Sequence, residues 1–464
     1  MKRFLFVPMA LICLLSILLL AACGANTDPP KKDKEPTMQE QYDQAAQQEM
    51  DTYQFNFAVS EQELAEIDEE DLDDYVAWSD ETLAKKTGEA DSYIVCTDQQ
   101  TQETSLVYLY TDISYDSSDS ELSFYRYVDM YTPAPKDKLD PNTPVFLYLH
   151  GGGWIAGSRK DERLSLVPYL VKAGFVVFSM EYGLWFGMNQ RPEMEKGVYL
   201  WKNLDVMDIV RYILRNEHPV SVQDMMNDIT ACLTFLKGYL PDTLGLQCTN
   251  IGIGGYSAGG HLSSLYAYKY AETSPIPLAF ELDLVGPVRL LDEGYLHVVS
   301  LVLGKDAQGN NLDLTDNENR FLITTVLSLL RSPVTHIDEM LQGILGADEP
   351  IDITTDEGWH KAEELIEQWQ GYTFLSSDSI PTVICYAQQH PESANFMEAL
   401  FPDDFDLFVP ITVYRSMSAK LDEVGIVHAD RLYADLDHNQ IGHATKSCKW
   451  MAEQCRAMAQ LFCK

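Results

Sequence analysis

The chain has 464 residues, of which 46% are hydrophobic and 11% aromatic, so composition excludes a wholly disordered protein. It carries 71 acidic and 33 basic side chains, which gives a formal net charge of −38. Because contacts to phosphate need clustered Lys and Arg, this charge argues against a nucleic-acid-binding protein. It also disfavours electrostatic attachment to anionic lipid.

The N-terminus has the pattern of an export signal. The basic pair Lys2-Arg3 precedes an apolar run over residues 4–22, as in a secretory signal peptide. The run ends in Leu-Ala-Ala directly before Cys23, and this sequence resembles a bacterial lipobox. The resemblance implies removal of residues 1–22 and diacylation of Cys23, which would anchor the exported chain on the outer side of a bacterial membrane. The alternatives are an ordinary secretory signal and a short membrane span.

Composition then divides the rest of the chain into three parts. Residues 23–40 are rich in Pro and Lys and predict an extended, flexible tether behind the lipidated cysteine. Residues 41–102 are strongly acidic and contain helix formers, which predicts one or two surface helices, with a solvated acidic arm as the alternative. The main domain is expected over 103–464.

Short apolar strands alternate with helical patterns in the main domain. This alternation predicts an α/β fold with a doubly wound, mostly parallel sheet. An antiparallel pair is expected at the edge of the sheet, over 105–110 and 122–128, because a turn-rich segment separates the two runs. The other predicted strands cover 145–149, 175–179, 251–254, 382–386 and 431–433, and helices are predicted over 226–240, 262–271 and 412–424.

Two stretches are longer than a simple crossover between strands. They lie near 185–220 and 290–371, and the second is rich in Leu with a helical pattern. Insertions of this kind commonly cover a pocket, so we expect helical segments that could act as a lid.

Seven cysteines remain once Cys13 leaves with the signal and Cys23 carries lipid. Because seven is odd, at least one thiol is expected to stay unpaired or to pair between chains. No Cys or His spacing indicates a zinc site. The seven are Cys96, Cys232, Cys248, Cys385, Cys448, Cys455 and Cys463.

The strongest chemical signal is the segment Gly255-Tyr-Ser257-Ala-Gly259, which follows the predicted strand at 251 and precedes a helical pattern. In G-x-S-x-G the serine lies on a sharp turn from strand to helix, and the flanking glycines are needed because backbones pass close by. The turn exposes the hydroxyl, and the helix N-terminus favours negative charge beside it.

A second signal, His150-Gly-Gly-Gly-Trp154, directly follows the predicted strand at 145–149. Glycines after a strand allow backbone N–H groups to turn toward a ligand oxygen. This is the geometry of an oxyanion hole, in which one donor contributes about 3–4 kcal/mol. The alternative is a flexible loop without a role.

With these motifs in this order, the chain resembles an α/β-hydrolase of the carboxylesterase type, near the hormone-sensitive-lipase-like and BD-FAE-like esterases. The segment Glu181-Tyr-Gly183-Leu adds to the resemblance, although Gly183 stands where the family has Arg. The resemblance covers roughly 103–464. It implies that Ser257 is the nucleophile, and that the oxyanion hole is formed by the N–H groups of Gly152, Gly153 and Ala258.

The family's chain order of serine, acid and histidine implies the remaining two catalytic residues. His438 follows the last predicted strand and is the expected base, with His443 as the rival. Asp406 fits the family pattern D-x-x-V-P and is the expected acid. Relative to the family pattern a segment is inserted before it, so Asp403 and Asp404 stay open as alternatives.

Aromatic side chains near these motifs could line a substrate pocket. Trp154 and Tyr256 are the candidates, with Trp185 and Phe186 as further ones, although isolated aromatics more often belong to a core. Asp228 matches a family position, and we expect it to cap a helix.

The resulting prediction is a serine carboxylic-ester hydrolase that acts through an acyl-enzyme on small or carbohydrate-linked esters. Its chemistry requires no metal and no cofactor. The alternatives are a lipase with a helical lid and a non-catalytic surface binding protein on a hydrolase scaffold. The sequence yields no prediction of oligomeric state.

Overall fold

The computed structural model describes most of the main domain and part of the N-terminal region. The predicted signal peptide and Cys23 lie outside the described residues. No helix in the described parts has the length and apolarity needed to cross a membrane. The described residues are 36–52, 92–97, 104–116, 124–161, 166–190, 196, 198–199, 220–295, 342–352, 355–389 and 408–464.

The chain divides into two units after Gln41. The first is described from Pro36 onward and contains the start of helix α1, Met38–Thr52. Thr37 and Glu40 form a capping box there: the Thr37 N–H donates to the Glu40 carboxylate at 2.7 Å, and the Glu40 N–H donates to the Thr37 hydroxyl at 3.2 Å.

The second unit is built on one nine-stranded sheet, in the order β1-β2-β3-β5-β4-β6-β7-β8-β9. Strands β4 to β9 are mutually parallel, whereas β1, β2 and β3 pair antiparallel at one edge. The strands are β1 Ser92–Thr97, β2 Thr104–Ser114, β3 Tyr127–Thr132, β4 Val145–Leu149, β5 Val176–Met180, β6 Ile251–Tyr256, β7 Leu278–Leu284, β8 Thr382–Ala387 and β9 His428–Tyr433.

Helices cover both faces of this sheet, and each face has its own apolar core. On one face, β4 contributes Phe146 and Tyr148 to a core with helices α2, α7 and α8; on the other, it contributes Val145, Leu147 and Leu149 to a core with α3 and α4. The apolar run of β4 is therefore buried on both faces, as expected for a parallel strand. The helices are α2 Leu166–Lys172, α3 Val222–Leu244, α4 Ala258–Lys269, α5 Asp356–Glu367, α6 Gly371–Phe374, α7 Ile411–Val424 and α8 Thr445–Phe462.

The predicted fold class, a doubly wound and mostly parallel sheet, is confirmed. Strand β4 coincides with the predicted 145–149, and the antiparallel pair lies toward the sheet edge as expected. Strand β3, however, is Tyr127–Thr132 rather than 122–128, and strand β7 was not predicted.

The acidic segment 41–102 is not helical throughout. It contains the later part of α1, but also β1, Ser92–Thr97, which pairs antiparallel with β2. The Tyr-Ile-Val run at the centre of β1 has high strand propensity, and its pairing with β2 gives it a place in the sheet. The expected lid insertions near 185–220 and 290–371 lie mostly outside the described residues.

Candidate active site

Ser257 lies on a sharp turn between β6 and α4. Its backbone has φ 53° and ψ −116°, a conformation that L-residues rarely adopt. Gly259 makes the turn sterically feasible, since a Cβ there would lie 2.1 Å from the Leu149 carbonyl oxygen. The Ser257 N–H donates to the Leu284 carbonyl oxygen at 2.8 Å, which fixes the turn against β7. The predicted elbow geometry is therefore present.

His438 is the imidazole that the structure places at this hydroxyl. Its Nε2 lies 2.9 Å from Ser257 Oγ, and the two residues are only 3% and 9% exposed. The Tyr256 hydroxyl donates to the His438 carbonyl oxygen at 2.6 Å, and the Tyr256 ring lies 5.4 Å from the imidazole. Tyr256, predicted as a pocket residue, therefore holds the backbone of His438 by a hydrogen bond and packs near its ring.

The turn that carries His438 is held by its neighbour. Asp437 Oδ1 accepts from the N–H groups of Asn439 and Gln440, at 2.9 and 2.8 Å. The rival His443 lies at the end of this turn with an exposed side chain. The structure thus brings His438, and not His443, to the Ser257 hydroxyl.

The predicted acid cannot be placed. Asp406 and its rivals Asp403 and Asp404 lie outside the described residues. The described chain begins again at Phe408, whose ring packs at a steep angle of 77° against the His438 imidazole, with 5.1 Å between ring centroids.

The glycine loop follows β4 and lies beside the elbow. Gly152 has φ 114°, and a Cβ there would lie 1.9 Å from the Ala156 carbonyl oxygen, so only glycine fits. Gly153 also has positive φ. In the part of the chain that the structure describes, no hydrogen bond uses the N–H groups of Gly152, Gly153 or Ala258. Because β4 and β6 are adjacent and parallel, these amides emerge at the same sheet edge as Ser257.

A buried group of charged residues underlies the glycine loop; we call it the arginine cluster, comprising Asp129, His150, Arg159 and Glu181. Arg159 Nε lies 2.9 Å from Asp129 Oδ1, and its Nη1 lies 3.4 Å from Glu181 Oε2. His150 Nε2 lies 3.3 Å from Glu181 Oε1. Burial lowers the pKa of His150, but the hydrogen bond and charge of Glu181 outweigh this effect and raise it. The cluster thereby ties the start of the loop to β3 and β5.

The arginine cluster was missed in the sequence. Arg159 stands in an ordinary Gly-Ser-Arg-Lys segment, and its full burial could not be inferred from a single charge. The sequence did contain one positional signal. Glu181 directly follows a buried strand, and a buried carboxylate needs a cationic or hydrogen-bonding partner.

A second buried acidic group lies on β7, on the other side of the elbow; we call it the proton-sharing cluster, comprising Glu281, Asp283 and Tyr386. Asp283 Oδ1 accepts from the Gly286 N–H at 2.8 Å. Burial raises the pKa of Asp283 to about 7, and it raises that of Glu281 well above its usual range, with the charge of Asp283 adding to the effect.

The Tyr386 hydroxyl faces two acceptors, and a protonated Asp283 would satisfy both contacts. The Tyr386 hydroxyl oxygen lies 2.5 Å from Asp283 Oδ2 and 2.5 Å from the Gly286 carbonyl oxygen. One hydroxyl has a single proton, and a carbonyl oxygen can only accept. If Tyr386 donates to Gly286, Asp283 must donate to Tyr386, which requires the neutral carboxyl.

Asp228 does not cap a helix, contrary to the prediction. The N-cap of α3 is Ser221, which forms a capping box with Asp224. Asp228 is buried further along α3, where it accepts from the Gly183 N–H at 2.9 Å and pairs with Arg126 Nη2 at 2.7 Å. It therefore anchors the segment after β5, and its cationic partner comes from the turn before β3.

Two candidate pocket residues, Trp154 and Trp185, and the imidazole of His261 in α4 have structural contacts. Trp154 and Trp185 stack with 4.9 Å between ring centroids, and both are partly buried. The side chain of Phe186 lies outside the described residues. His261 Nε2 donates to the Trp369 carbonyl oxygen at 2.6 Å, and burial lowers its pKa to about 4, so this imidazole is neutral.

Three further features bear on the site predictions. A cavity of about 560 Å³ lies beside α3, lined by residues such as Tyr115 and Phe235, but neither Ser257 nor His438 lines it. Among the described residues no group of His, Cys, Asp and Glu could hold a metal ion. The six cysteines whose side chains are described are thiols, and the side chain of Cys96 is not described.

Comparison with known proteins gives partial matches. A family model described as BD-FAE matches residues 128–216. The sheet order, the elbow after β6 and this match agree on one architecture. The fold is that of an α/β-hydrolase.

Two curated relatives share shorter stretches with this chain. An AB hydrolase superfamily protein of Schizosaccharomyces pombe is 28% identical over 148 residues, which are 31% of this chain and 33% of that protein. A non-reducing polyketide synthase of Aspergillus novofumigatus is 33% identical over 72 residues, 16% of this chain and 3% of the synthase. The chain thus spans a third or less of the length of these relatives.

Solved structures are similar over most of the chain at low identity. One is an inhibited esterase B from Lactobacillus rhamnosis, 16% identical, covering 76% of this chain and 87% of that chain with a TM-score of 0.45. Another is a truncated carbohydrate esterase from gut microbiota, 14% identical, covering 76% and 96% with a TM-score of 0.46.

Proposed function

We propose that this α/β-hydrolase is a serine carboxylic-ester hydrolase that works through an acyl-enzyme. The observation that carries the proposal is the 2.9 Å approach of His438 Nε2 to Ser257 Oγ at the elbow after β6. A base within hydrogen-bond distance of a serine is the requirement for activating the hydroxyl.

The reaction begins when Ser257 Oγ attacks the ester carbonyl carbon and His438 Nε2 accepts the hydroxyl proton. The tetrahedral oxyanion is held by the N–H groups of Gly152, Gly153 and Ala258. His438 then protonates the leaving alkoxide as its bond to the carbonyl carbon breaks. Water attacks the acyl-enzyme by the same path and releases the acid.

In this proposal Asp406 accepts from the other ring nitrogen of His438. That contact would hold the imidazole in the right tautomer and stabilise the imidazolium that forms. The amides of the oxyanion hole contribute about 3 kcal/mol each to the transition state. The chemistry needs neither metal nor cofactor.

The substrate class follows from the resemblance to BD-FAE-like esterases, supported by the family match over 128–216. We propose small or carbohydrate-linked acyl esters. A chain with a net charge of −38 repels anionic substrates, which favours neutral esters.

Replacing the nucleophile tests the proposal. We expect Ser257→Ala to lower kcat on p-nitrophenyl acetate by at least about 10³-fold while the thermal unfolding curve stays within the range of the wild type. Ser418→Ala, which removes a hydroxyl that donates to Asp430 on the surface, is the matched control and should keep full activity. Retained hydrolysis in Ser257→Ala would contradict the assignment.

Two measurements separate the alternative functions. A fluorophosphonate probe should label the wild type and not Ser257→Ala, whereas a non-catalytic scaffold would leave both unlabelled. A lipase with a lid would show a rate that rises at the micelle point of its substrate. We expect a rate that does not change there.

The location is a proposal of its own. We propose that the chain is exported and held on the outer side of a bacterial membrane by lipid on Cys23. Cys23→Ala should abolish incorporation of radiolabelled fatty acid and release the protein from the membrane fraction. Fatty-acid labelling that persists in this variant would refute the anchor.

A further inference from the structure

Phe408 lies at the catalytic pair and is exposed. Its side chain is 37% exposed, while the imidazole it packs against is 3% exposed. Among the described residues, Phe408 and Met38 are the large apolar side chains with the highest exposure. We propose that Phe408 forms the surface against which the alcohol part of the ester substrate packs. This inference rests on the proposed esterase function.

The exposure of Phe408 is not required by the fold. The apolar anchors of this segment are its neighbours Val409 and Ile411, each 3% exposed, and Ile411 is the first residue of helix α7. More than a third of Phe408 faces solvent although the residue lies against the imidazole of the catalytic pair, so this apolar surface is available to a ligand at the site.

The order of the strands assigns Phe408 to one side of the reaction. Ser257 follows β6, and the glycine loop follows β4 on one flank of that strand. Phe408 lies between β8 and α7, and His438 follows β9, both on the opposite flank. A bound ester therefore directs its carbonyl oxygen toward the β4 flank and its leaving group toward the flank of Phe408.

The chemistry of His438 requires the same orientation. Nε2 must transfer its proton to the leaving oxygen, so the alcohol has to lie against the imidazole during the reaction. The ring centroid of Phe408 is 5.1 Å from that of the imidazole, so an alcohol group held at Nε2 lies within reach of the ring. A phenyl ring favours a flat, neutral group with C–H bonds on its face, such as an aromatic ring or one face of a pyranose.

The test compares substrates that share an acid and differ in the alcohol. Acetates of methanol, benzyl alcohol and a methyl xyloside, together with methyl butyrate, would be assayed with wild type, Phe408→Ala and Phe408→Leu. Phe235→Ala removes a half-buried aromatic from α3, beside the cavity away from Ser257, and serves as control.

We expect Phe408→Ala to lower kcat/KM for benzyl acetate, the acetylated xyloside or both by about tenfold relative to methyl acetate. Phe408→Leu should give a smaller loss. The ratio of methyl butyrate to methyl acetate and the pH profile of kcat should stay as in the wild type. A lower kcat/KM for benzyl acetate alone would identify the alcohol as aromatic, and a lower kcat/KM for the acetylated xyloside alone would identify it as a sugar. Either result supports the assignment.

Three results would overturn it. An equal loss on methyl acetate, with a shifted pH profile, would mean that Phe408 only positions His438. A change confined to the butyrate to acetate ratio would place Phe408 on the acyl side. Unchanged ratios throughout would mean that it contacts no substrate. If the wild type neither hydrolyses these esters nor reacts with the fluorophosphonate, the proposed function itself fails and this assignment with it.

Discussion

The two buried acidic groups on either side of the nucleophile strand are neutralised in different ways. In the arginine cluster, Asp129 and Glu181 stay close to a guanidinium and an imidazole. In the proton-sharing cluster, no Lys, Arg or His of the described residues is a charge partner of Glu281 or Asp283, and burial raises the pKa of both, which favours their neutral forms. Carboxyl groups buried beside the site are therefore stabilised in two ways. Those of the arginine cluster pair with basic side chains, whereas those of the proton-sharing cluster have raised pKa values that favour the neutral acid.

The largest effect is expected from removing the cation of the first group. Arg159→Met leaves Asp129 and Glu181 buried without their guanidinium, which should lower the free energy of unfolding by about 3–5 kcal/mol. Urea denaturation followed by circular dichroism measures this. Arg431→Met, which removes an exposed guanidinium over the Tyr433 ring, is the control and should cost about 1 kcal/mol or less. Equal losses in both variants would contradict the distinction.

A smaller effect is expected from weakening the same group without removing its cation. Glu181→Gln removes the charge that raises the pKa of His150, so burial should leave this imidazole neutral. We expect a loss of about 2 kcal/mol in stability. We also expect kcat to fall by about tenfold, because the glycine loop is held less firmly.

Steady-state kinetics and urea denaturation together test the Glu181→Gln prediction. Glu423→Gln, an exposed carboxylate paired with Lys420, is the matched control. If kcat is unchanged while stability falls, the arginine cluster supports the fold but not the oxyanion loop.

The smallest change in stability, a gain instead of a loss, is expected from a substitution at Asp283. Its pKa is raised to about 7 in the folded chain, against about 3.9 when unfolded. The folded state therefore binds more protons between about pH 4 and pH 7, and the free energy of unfolding falls as pH rises through this window. Asp283→Asn keeps a donor toward Tyr386 and an acceptor for Gly286, but cannot ionise. At pH 8 the free energy of unfolding of this variant should exceed that of the wild type by about 1 kcal/mol or more.

Unfolding curves at pH 5 and pH 8 decide this prediction. Asp435→Asn is the control, because Lys446 lowers the pKa of that surface carboxylate and it stays ionised across the window. A variant Asp283→Asn that is less stable than wild type at pH 8 would mean that the ionised carboxylate is favoured.

The same buried acids explain which strands could be predicted from the sequence. Strand β4 is an uninterrupted apolar run, and its limits were predicted. Strand β7 includes Glu281 and Asp283, which removed the apolar signal, and Asp129 interrupts β3 in the same way. A pattern method treats an acid as a surface residue, and nothing in the local sequence reveals the proton or the arginine that allows its burial.

Prediction of the site residues from the sequence was limited in a similar way. Gly152 and Ser257 stand in glycine-rich motifs that are visible in the local sequence. The roles of Gly152 and His438 were implied by the resemblance to a known family and its chain order of serine, acid and histidine. The roles of Phe408 and Arg159 could not be predicted, since they depend on contacts between residues far apart in the chain. The predicted acid Asp406 stays a prediction.

The glycine at 259 has a consequence for attempts to engineer this chain. The space where its side chain would be is filled by main-chain carbonyl groups of Leu149 and His150, not by side chains. No second-site mutation can trim a carbonyl group, so a library that randomises this position cannot be rescued by variation nearby. Diversity is better introduced at the aromatic ring beside the imidazole, where solvent leaves room for new shapes.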